Sequence, residues 1–337
     1  MDKKLYELLN DTENIVLDSD KELITELDKK KMKMNINKKL NTPNPSKKGL
    51  LVAAALIICV FGATPALGQM EIAFERIEKH MNSNKELDNY ATILDETVTK
   101  NGITMKINEV IINNDEIIIS STATADEKLQ ESGIHYSEAI YINGKRADNG
   151  GGGSMWPVND YSVQSVSTMT LEDIDLAGEL NVKVVFSGMN VNDKNKLGKW
   201  SFEFKTTGDE LKADTKIIAL DYSFESEDGQ KIVLERLEKN AVNTKIYYSS
   251  NELGNYDFML KGHDDLDNEV SFYVAHFSDG KGKFELQFVN GELKKVLPDE
   301  SKILTLTPYA VAFPKESGKM SDDFKVCGDT FNIYLNK

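Results

Sequence analysis

Three patterns of apolar and polar positions follow one another along the chain. Residues 49–68 read GLLVAAALIICVFGATPALG, without a charge and with almost nothing polar. Residues 70–81 set Met70, Phe74, Ile77 and Met81 at helical spacing, with Glu71, Glu75, Glu78 and Lys79 on other faces, which predicts an amphipathic helix. From Thr97 the period changes to the alternation of half-buried strands. It predicts strands over 103–112, 116–124, 138–142, 161–171, 181–187 and 200–206. A second series follows over 216–224, 231–237, 243–249, 256–261, 270–276, 283–289, 303–313 and 330–335.

The two series resemble each other. Asn101-Gly102 opens a strand that leads through a polar turn to Glu116 and a strand ending in Ser120-Ser121, and Asp228-Gly229 opens one leading to Lys245 and Ser249-Ser250. Trp200-Ser201-Phe202-Glu203-Phe204 and Phe331-Asn332-Ile333-Tyr334-Leu335 are alternating closing strands at the far ends. The expected fold is mainly β: a short helical segment, one transmembrane helix, then two tandem immunoglobulin-like antiparallel β-sandwich domains. The expected boundaries are 1–48, 49–68, 69–96 for a helix and linker, 97–208 and 209–337. One larger β domain is the alternative.

A twenty-residue helix spans about 30 Å, the thickness of a hydrocarbon core, so residues 49–68 have the length to cross a bilayer once. Between Lys29 and Lys48 stand eight lysines and no Asp or Glu, whereas the other flank opens with Glu71 and Glu75. The positive-inside rule then predicts a single-pass protein of the cell membrane, with a cytoplasmic N-terminus and extracellular C-terminal domains. A cleaved signal peptide is the competing reading, since Ala66-Leu67-Gly68 resembles a cleavage site; its n-region would be far longer than usual, which favours a retained anchor. A lipid anchor through Cys59 is disfavoured because Leu56, Ile57 and Ile58 precede it.

Before the lysines, Leu5, Leu8 and Leu9 predict one short helix, and Leu23, Ile24 and Leu27, extended by Met34, predict a second that Ser19 or Asp20 could cap. These stripes are too small to bury a core. They are read either as a segment that folds on a cytoplasmic partner or as an unstructured tail with a stop signal.

The net charge of −15, with 28% charged residues, argues against a nucleic-acid-binding surface on the part that follows the apolar stretch. The two cysteines, Cys59 and Cys327, leave the β region to hold by packing alone. No catalytic constellation emerges. His80, His135, His263 and His276 stand in unrelated contexts, without HExxH or zinc spacing, so no metal or other cofactor is expected. Gly150–Gly153 is read as a flexible hairpin loop and not a phosphate cradle, because no helix signal follows; Trp156 beyond it, exposed on that loop, is the candidate ectodomain contact. The acidic turn Asp264–Glu269 is read as solvated, with calcium the alternative, since it lacks the glycine and distal glutamate of an EF-hand. The chain is not expected to be an enzyme.

The order of parts carries a resemblance. An N-terminal segment beginning Lys3-Lys4-Leu5-Tyr6-Glu7-Leu8-Leu9-Asn10, a lysine-rich stretch, one membrane helix and a β region with Trp-x-Phe-x-Phe resemble Gram-positive single-pass anti-sigma-factor-like regulators with tandem extracytoplasmic domains. The resemblance implies that residues 1–48 bind an extracytoplasmic-function sigma factor through Leu5, Leu8, Leu9, Leu23, Ile24, Leu27 and Met34. It also implies that the outer domains sense an envelope signal, with an envelope protease as a further partner. Zinc-type members carry a His-x3-Cys-x2-Cys cluster; residues before Gly49 contain neither His nor Cys, so the implied binding is metal-free. The alternative is an anchored adhesive or wall-binding module without a transcriptional role.

Overall fold

The structure, a computed structural model, describes residues 76–81, 86–131, 133–172, 174–251, 255–314, 316 and 320–336. All of these belong to one compact unit. The expected transmembrane helix and the whole N-terminal segment lie outside the described residues. Among the described residues no helix is long and apolar enough to cross a membrane.

The described chain is mainly β, and every pairing in its sheets is antiparallel. The first module opens with β1 (Ala91–Lys100), β2 (Ile103–Asn113), β3 (Glu116–Ala125), β4 (Ile134–Ile142) and β5 (Lys145–Arg146). It continues through β6 (Asp148–Asn159), β7 (Ser162–Leu171), β8 (Leu180–Val191), β9 (Lys194–Lys196) and β10 (Trp200–Thr206). One sheet has the order β1-β2-β3-β7-β6 and the other β10-β8-β4-β5. Ile107, Ile117 and Val163 of the first meet Ile140, Val184 and Phe202 of the second in one buried core. Trp200 is fully buried there, and its Nε1–H donates to the Ile103 carbonyl at 3.0 Å. A polar seam crosses the same gap: Tyr136 Oη lies 2.6 Å from Ser165 Oγ, and Ser167 Oγ donates to Glu138 at 2.6 Å.

The second module contains β11 (Lys216–Glu225), β12 (Lys231–Lys239), β13 (Thr244–Ser250), β14 (Tyr256–Asp264) and β15 (Glu269–Ser278). After these come β16 (Lys281–Val289), β17 (Glu292–Leu293), β18 (Ile303–Ala312), β19 (Lys325–Val326) and β20 (Phe331–Tyr334). Its spine runs β11-β12-β13-β16-β15-β14-β18, with β20 also on β18. This is the first module's order with one difference: β15 pairs with β14, whereas the equivalent strands β6 and β4 belong to separate sheets. The second module is therefore one ten-stranded sheet wrapped round a single core. Irregularities recur as well, between Ile107 and Glu109 in the first module and between Leu234 and Arg236 in the second. The internal repeat expected from Gly-led strands is thus present in the topology.

Turn chemistry sets the registers. Asn101-Gly102, Asn143-Gly144, Asn192-Asp193, Asp279-Gly280 and Asn290-Gly291 each join two strands with both residues at positive φ, the geometry that matches strand twist and that Asn, Asp and Gly tolerate best.

Three expectations need correction. β1 begins at Ala91, inside the stretch read as linker, because it has few apolar positions, with Ile93 exposed beside the buried Leu94, and leaves little alternation to see. The described part of the predicted 70–81 helix is a single turn, α1 (Ile77–His80). Gly150–Gly153 lies in β6 and is not a hairpin loop; at Gly151 and Gly153 an added Cβ would collide with the carbonyls of Thr168 and Val166 on β7, so these glycines permit the pairing.

Strands β2 and β3 are buried on both faces along much of their length, unlike the alternating β8 and β10. Their outward residues Ile111 and Ile118 join Val166 in a third apolar cluster. Ile77, Met81, Leu87, Leu211 of the short helix α2 (Asp209–Ala213), Ala241 and Val242 cover it.

Candidate functional site: the joint that holds residues 76–81

The chain enters the first module through a clamp. The Arg76 guanidinium bonds Glu109 through Nε at 2.7 Å and Asp88 through Nη2 at 2.7 Å. Glu109 also accepts the Ile77 N–H, one of the orphan donors of α1. Burial pushes the Glu109 carboxyl above the ordinary glutamate range, although Arg76 and the Ile77 amide pull it down. Beside the clamp, the His80 ring stacks on Trp156 with centroids 5.1 Å apart and planes 7° from parallel. Tyr90 Oη donates to Asp214 at 2.7 Å, and the Leu87 N–H donates to Glu78 at 3.2 Å. A four-residue helix has no stability of its own. Its place is held by these contacts and the apolar cluster beneath.

The second part of the joint is a meeting of the two repeats. The turn 113–116 after β2 and the loop 240–243 after β12 are the same loop of the repeat, 127 positions apart, and they face each other. Asn240 Nδ2 donates to Asn113 Oδ1 at 2.8 Å, Asn113 Nδ2 to Asn243 Oδ1 at 3.1 Å and Asn243 Nδ2 to Glu116 at 2.7 Å. The acidic side of the first turn enters a socket on the second module. Asp115 takes Lys245 at 2.8 Å and Lys283 at 2.7 Å, and Glu116 takes Lys245 at 2.9 Å. Glu285 closes the socket, bound by Asn243 at 3.1 Å and by Lys295 at 3.0 Å.

Glu116, Lys245 and Lys283 are almost fully buried. Burial opposes ionisation of both carboxylates, yet the two lysines outweigh it and hold Asp115 and Glu116 below their ordinary ranges. Burial likewise disfavours the Lys245 ammonium, and Glu116 and Asp115 more than compensate. Such a cluster adds little net stability over an apolar contact, but removing one partner strands the others at about 3–5 kcal/mol. Buried charge of this kind suits a joint, because any docking that leaves a partner unpaired is penalised.

The residues singled out from the sequence are distributed unevenly over this site. Leu5, Leu8, Leu9, Leu23, Ile24, Leu27 and Met34 lie outside the described residues. Trp156 is in the joint, though as a half-buried ring on β6 against His80 and not on an exposed loop. In the acidic turn the Asp264 carboxylate is occupied by the amides of Leu266 and Asn268, the Asn268 side chain and Ser301 Oγ, and Asp265 by the amides of Lys302 and Ile303. The turn uses its acids to shape itself. His276 Nε2 lies 3.1 Å from Glu172, and His135 and His263 are exposed. Among the described residues no three His, Cys, Asp or Glu side chains gather as metal ligands would. The clamp and socket residues Glu109, Asp115, Glu116, Lys245 and Lys283 escaped sequence reasoning. For Glu109 the signal was a charge inside a largely apolar strand, ITMKINEVIIN, whereas Asp115 stands in a turn that gave none.

Residues 41–124 match a family model described as a domain of unknown function (DUF4179), and residues 215–335 match one described as a family of unknown function (DUF5643). The first match takes in the apolar stretch, the clamp and the turn 113–116 with Asp115 and Glu116, and the second contains the lysine socket. No curated protein matches the chain. Among solved structures, the conserved domain protein from Bacillus anthracis is similar at 20% identity and a TM-score of 0.59. The likeness covers 79% of this chain and 100% of that one, more than either β module supplies alone, so the paired arrangement is a shared fold.

Proposed function

We propose that the protein is a single-pass membrane regulator of transcription, an anti-sigma factor whose outer domains govern its state and which acts by binding and not by catalysis. In this reading residues 49–68 are a retained transmembrane helix with the N-terminus in the cytoplasm. Residues 1–48 fold on an extracytoplasmic-function sigma factor, with Leu23, Ile24, Leu27 and Met34 in a groove of the partner, no metal involved. The two β modules lie outside the membrane and respond to an envelope signal, the first as an immunoglobulin-like sandwich of two sheets and the second with its strands joined into one sheet.

The observation that carries the reading is the joint. Arg76, Ile77 and His80, eight to twelve positions beyond the apolar stretch, are tied to Glu109, Asp88 and Trp156, which supports the reading that the outer domains hold the chain where it leaves that stretch. An adhesive module on a passive anchor has no use for a structured exit of this kind, and in such a module Trp156 would face solvent. One matched family unit, 41–124, spans the apolar stretch and its clamp together, which supports a linked role. Release of the sigma factor would require the clamp to open, exposing the chain beyond residue 68 to an envelope protease.

The reading is tested in the cytoplasmic segment. Residues 1–48 used as bait are expected to capture a sigma factor and to silence its promoter, and Leu23→Asp with Leu27→Asp to abolish both effects. A segment that captures no sigma factor and leaves transcription unchanged would overturn the reading in favour of an anchored surface module.

A further inference from the structure

The loop 240–243 takes part in both halves of the joint. Its end residues are polar and serve the socket: Asn240 bonds Asn113 at 2.8 Å and Asn243 bonds Glu116 at 2.7 Å and Glu285 at 3.1 Å. Asn240 Oδ1 also accepts the amides of Val242 at 2.9 Å and Asn243 at 3.1 Å, so the same side chain that grips the acidic turn shapes the loop. Its middle residues are apolar. Ala241 is 6% exposed and Val242 not at all, and both belong to the cluster that holds Ile77, Met81 and Leu87 on β2, β3 and β7.

We propose that residues 240–243 form a strap: the second module, seated by Asp115 and Glu116 in the Lys245–Lys283 socket, presses Ala241 and Val242 onto the cluster that holds residues 76–81, so that unseating the acidic turn frees that segment. The inference rests on the reading that the outer modules control the exit of the apolar stretch, and it names the contact through which the second module does so. α1 lacks independent stability, and its supports, the His80–Trp156 stack and the residues of β2, β3 and β7 among them, differ in origin. The Arg76–Glu109 clamp lies within the first module, while the strap comes from the second. A change confined to the second module therefore has a route to residues 76–81. The route runs from Lys245 and Lys283, on β13 and β16, through Asn243 and Asn240 to Val242, over contacts of 3.1 Å or less.

Amide hydrogen exchange on the purified full chain tests this without reference to transcription. In the variant Asp115→Asn with Glu116→Gln, the amides of Ile77, Met81 and Ala91 are expected to exchange at least about tenfold faster, while β8 and β14 keep their protection. Unchanged exchange over 76–91, with β8 and β14 intact, would overturn the strap. Should the variant also lose protection in β8 and β14, the decision passes to Val242→Ala, which leaves every charge in place. It is expected to accelerate Ile77 and Met81 alone, and no acceleration there would overturn the proposal. A strap confirmed by exchange alongside a segment 1–48 that binds no sigma factor would separate the two conclusions cleanly.

Discussion

Glu138 sits where two sheets face each other, on β4 and within 2.6 Å of Ser167 on β7, and burial pushes its carboxyl from the ordinary 4.5 up to about 7. The native state therefore keeps a proton there that the unfolded chain releases. Stability from this site is full at pH values below about 4.5 and falls as pH rises through the folded value near 7. Asp115 and Glu116 behave oppositely: their depressed values give stability that is present near neutrality and lost in acid. Glu138→Gln, which keeps the acceptor and removes the titration, is expected to melt a few degrees above the parent at pH 8, with the gap closing towards pH 5. Thermal unfolding of both chains across that range checks it, and parallel pH profiles would contradict it. None of these acids was legible as special. Glu138 reads as one polar residue opening a strand and Asp115 as one of several turn acids, because a sequence does not display what faces a side chain across a gap. Trp156 was legible as significant, but its partner His80 lies 76 positions away and no local pattern links them.

At the level of elements, strands with one wet face were readable and strands without one were not. β8 and β10 alternate because one face of each packs into the core, and the period of two located them. β6 has no such signature. Four glycines carry no side-chain pattern, and their role is steric, since β7 approaches too closely for a Cβ at alternate positions. Gly151→Ala and Gly153→Ala are each expected to cost about 1–3 kcal/mol, because the new methyl group meets backbone that cannot yield. Gly152, between them, faces open space, and Gly152→Ala is expected to be neutral or to gain about 0.4–1 kcal/mol from a less flexible unfolded chain. Urea midpoints of the three variants measure the contrast. Equal effects at all three positions would contradict the pairing of β6 with β7. The burial of β2 and β3 on both faces has its own lesson: the near-continuous run IINNDEIIIS marked strands correctly, and it also marked, without saying so, the surface on which another part of the chain rests.

For the molecule as a whole, the repeat was legible and its assembly was not. Matching Gly-led strands announced two copies of one topology, but nothing in them indicated that equivalent loops of the two copies meet, or that the second copy joins β14 to β15 into a continuous sheet. The meeting of the loops depends on contacts more than a hundred positions apart, such as Asn113 with Asn240, whereas β14 and β15 are neighbours in the chain whose counterparts β4 and β6 simply do not pair. The five turns with paired positive φ carry a consequence in time. Hairpins of this kind close in about 1–10 μs, so β1–β2 and β15–β16 are expected to form before the chain has solved any distant pairing. What remains is slow: β3 must find β7 and β14 must find β18 across some 40 intervening residues, each with its loop entropy to overcome. Early hairpins followed by late closure leave a testable trace in kinetics. Gly280→Ala, which strains the turn of a hairpin already closed at the barrier, is expected to slow refolding and leave unfolding nearly unchanged. Stopped-flow refolding that shows the whole loss in the unfolding rate would instead make that hairpin a late event, with the long-range pairings leading.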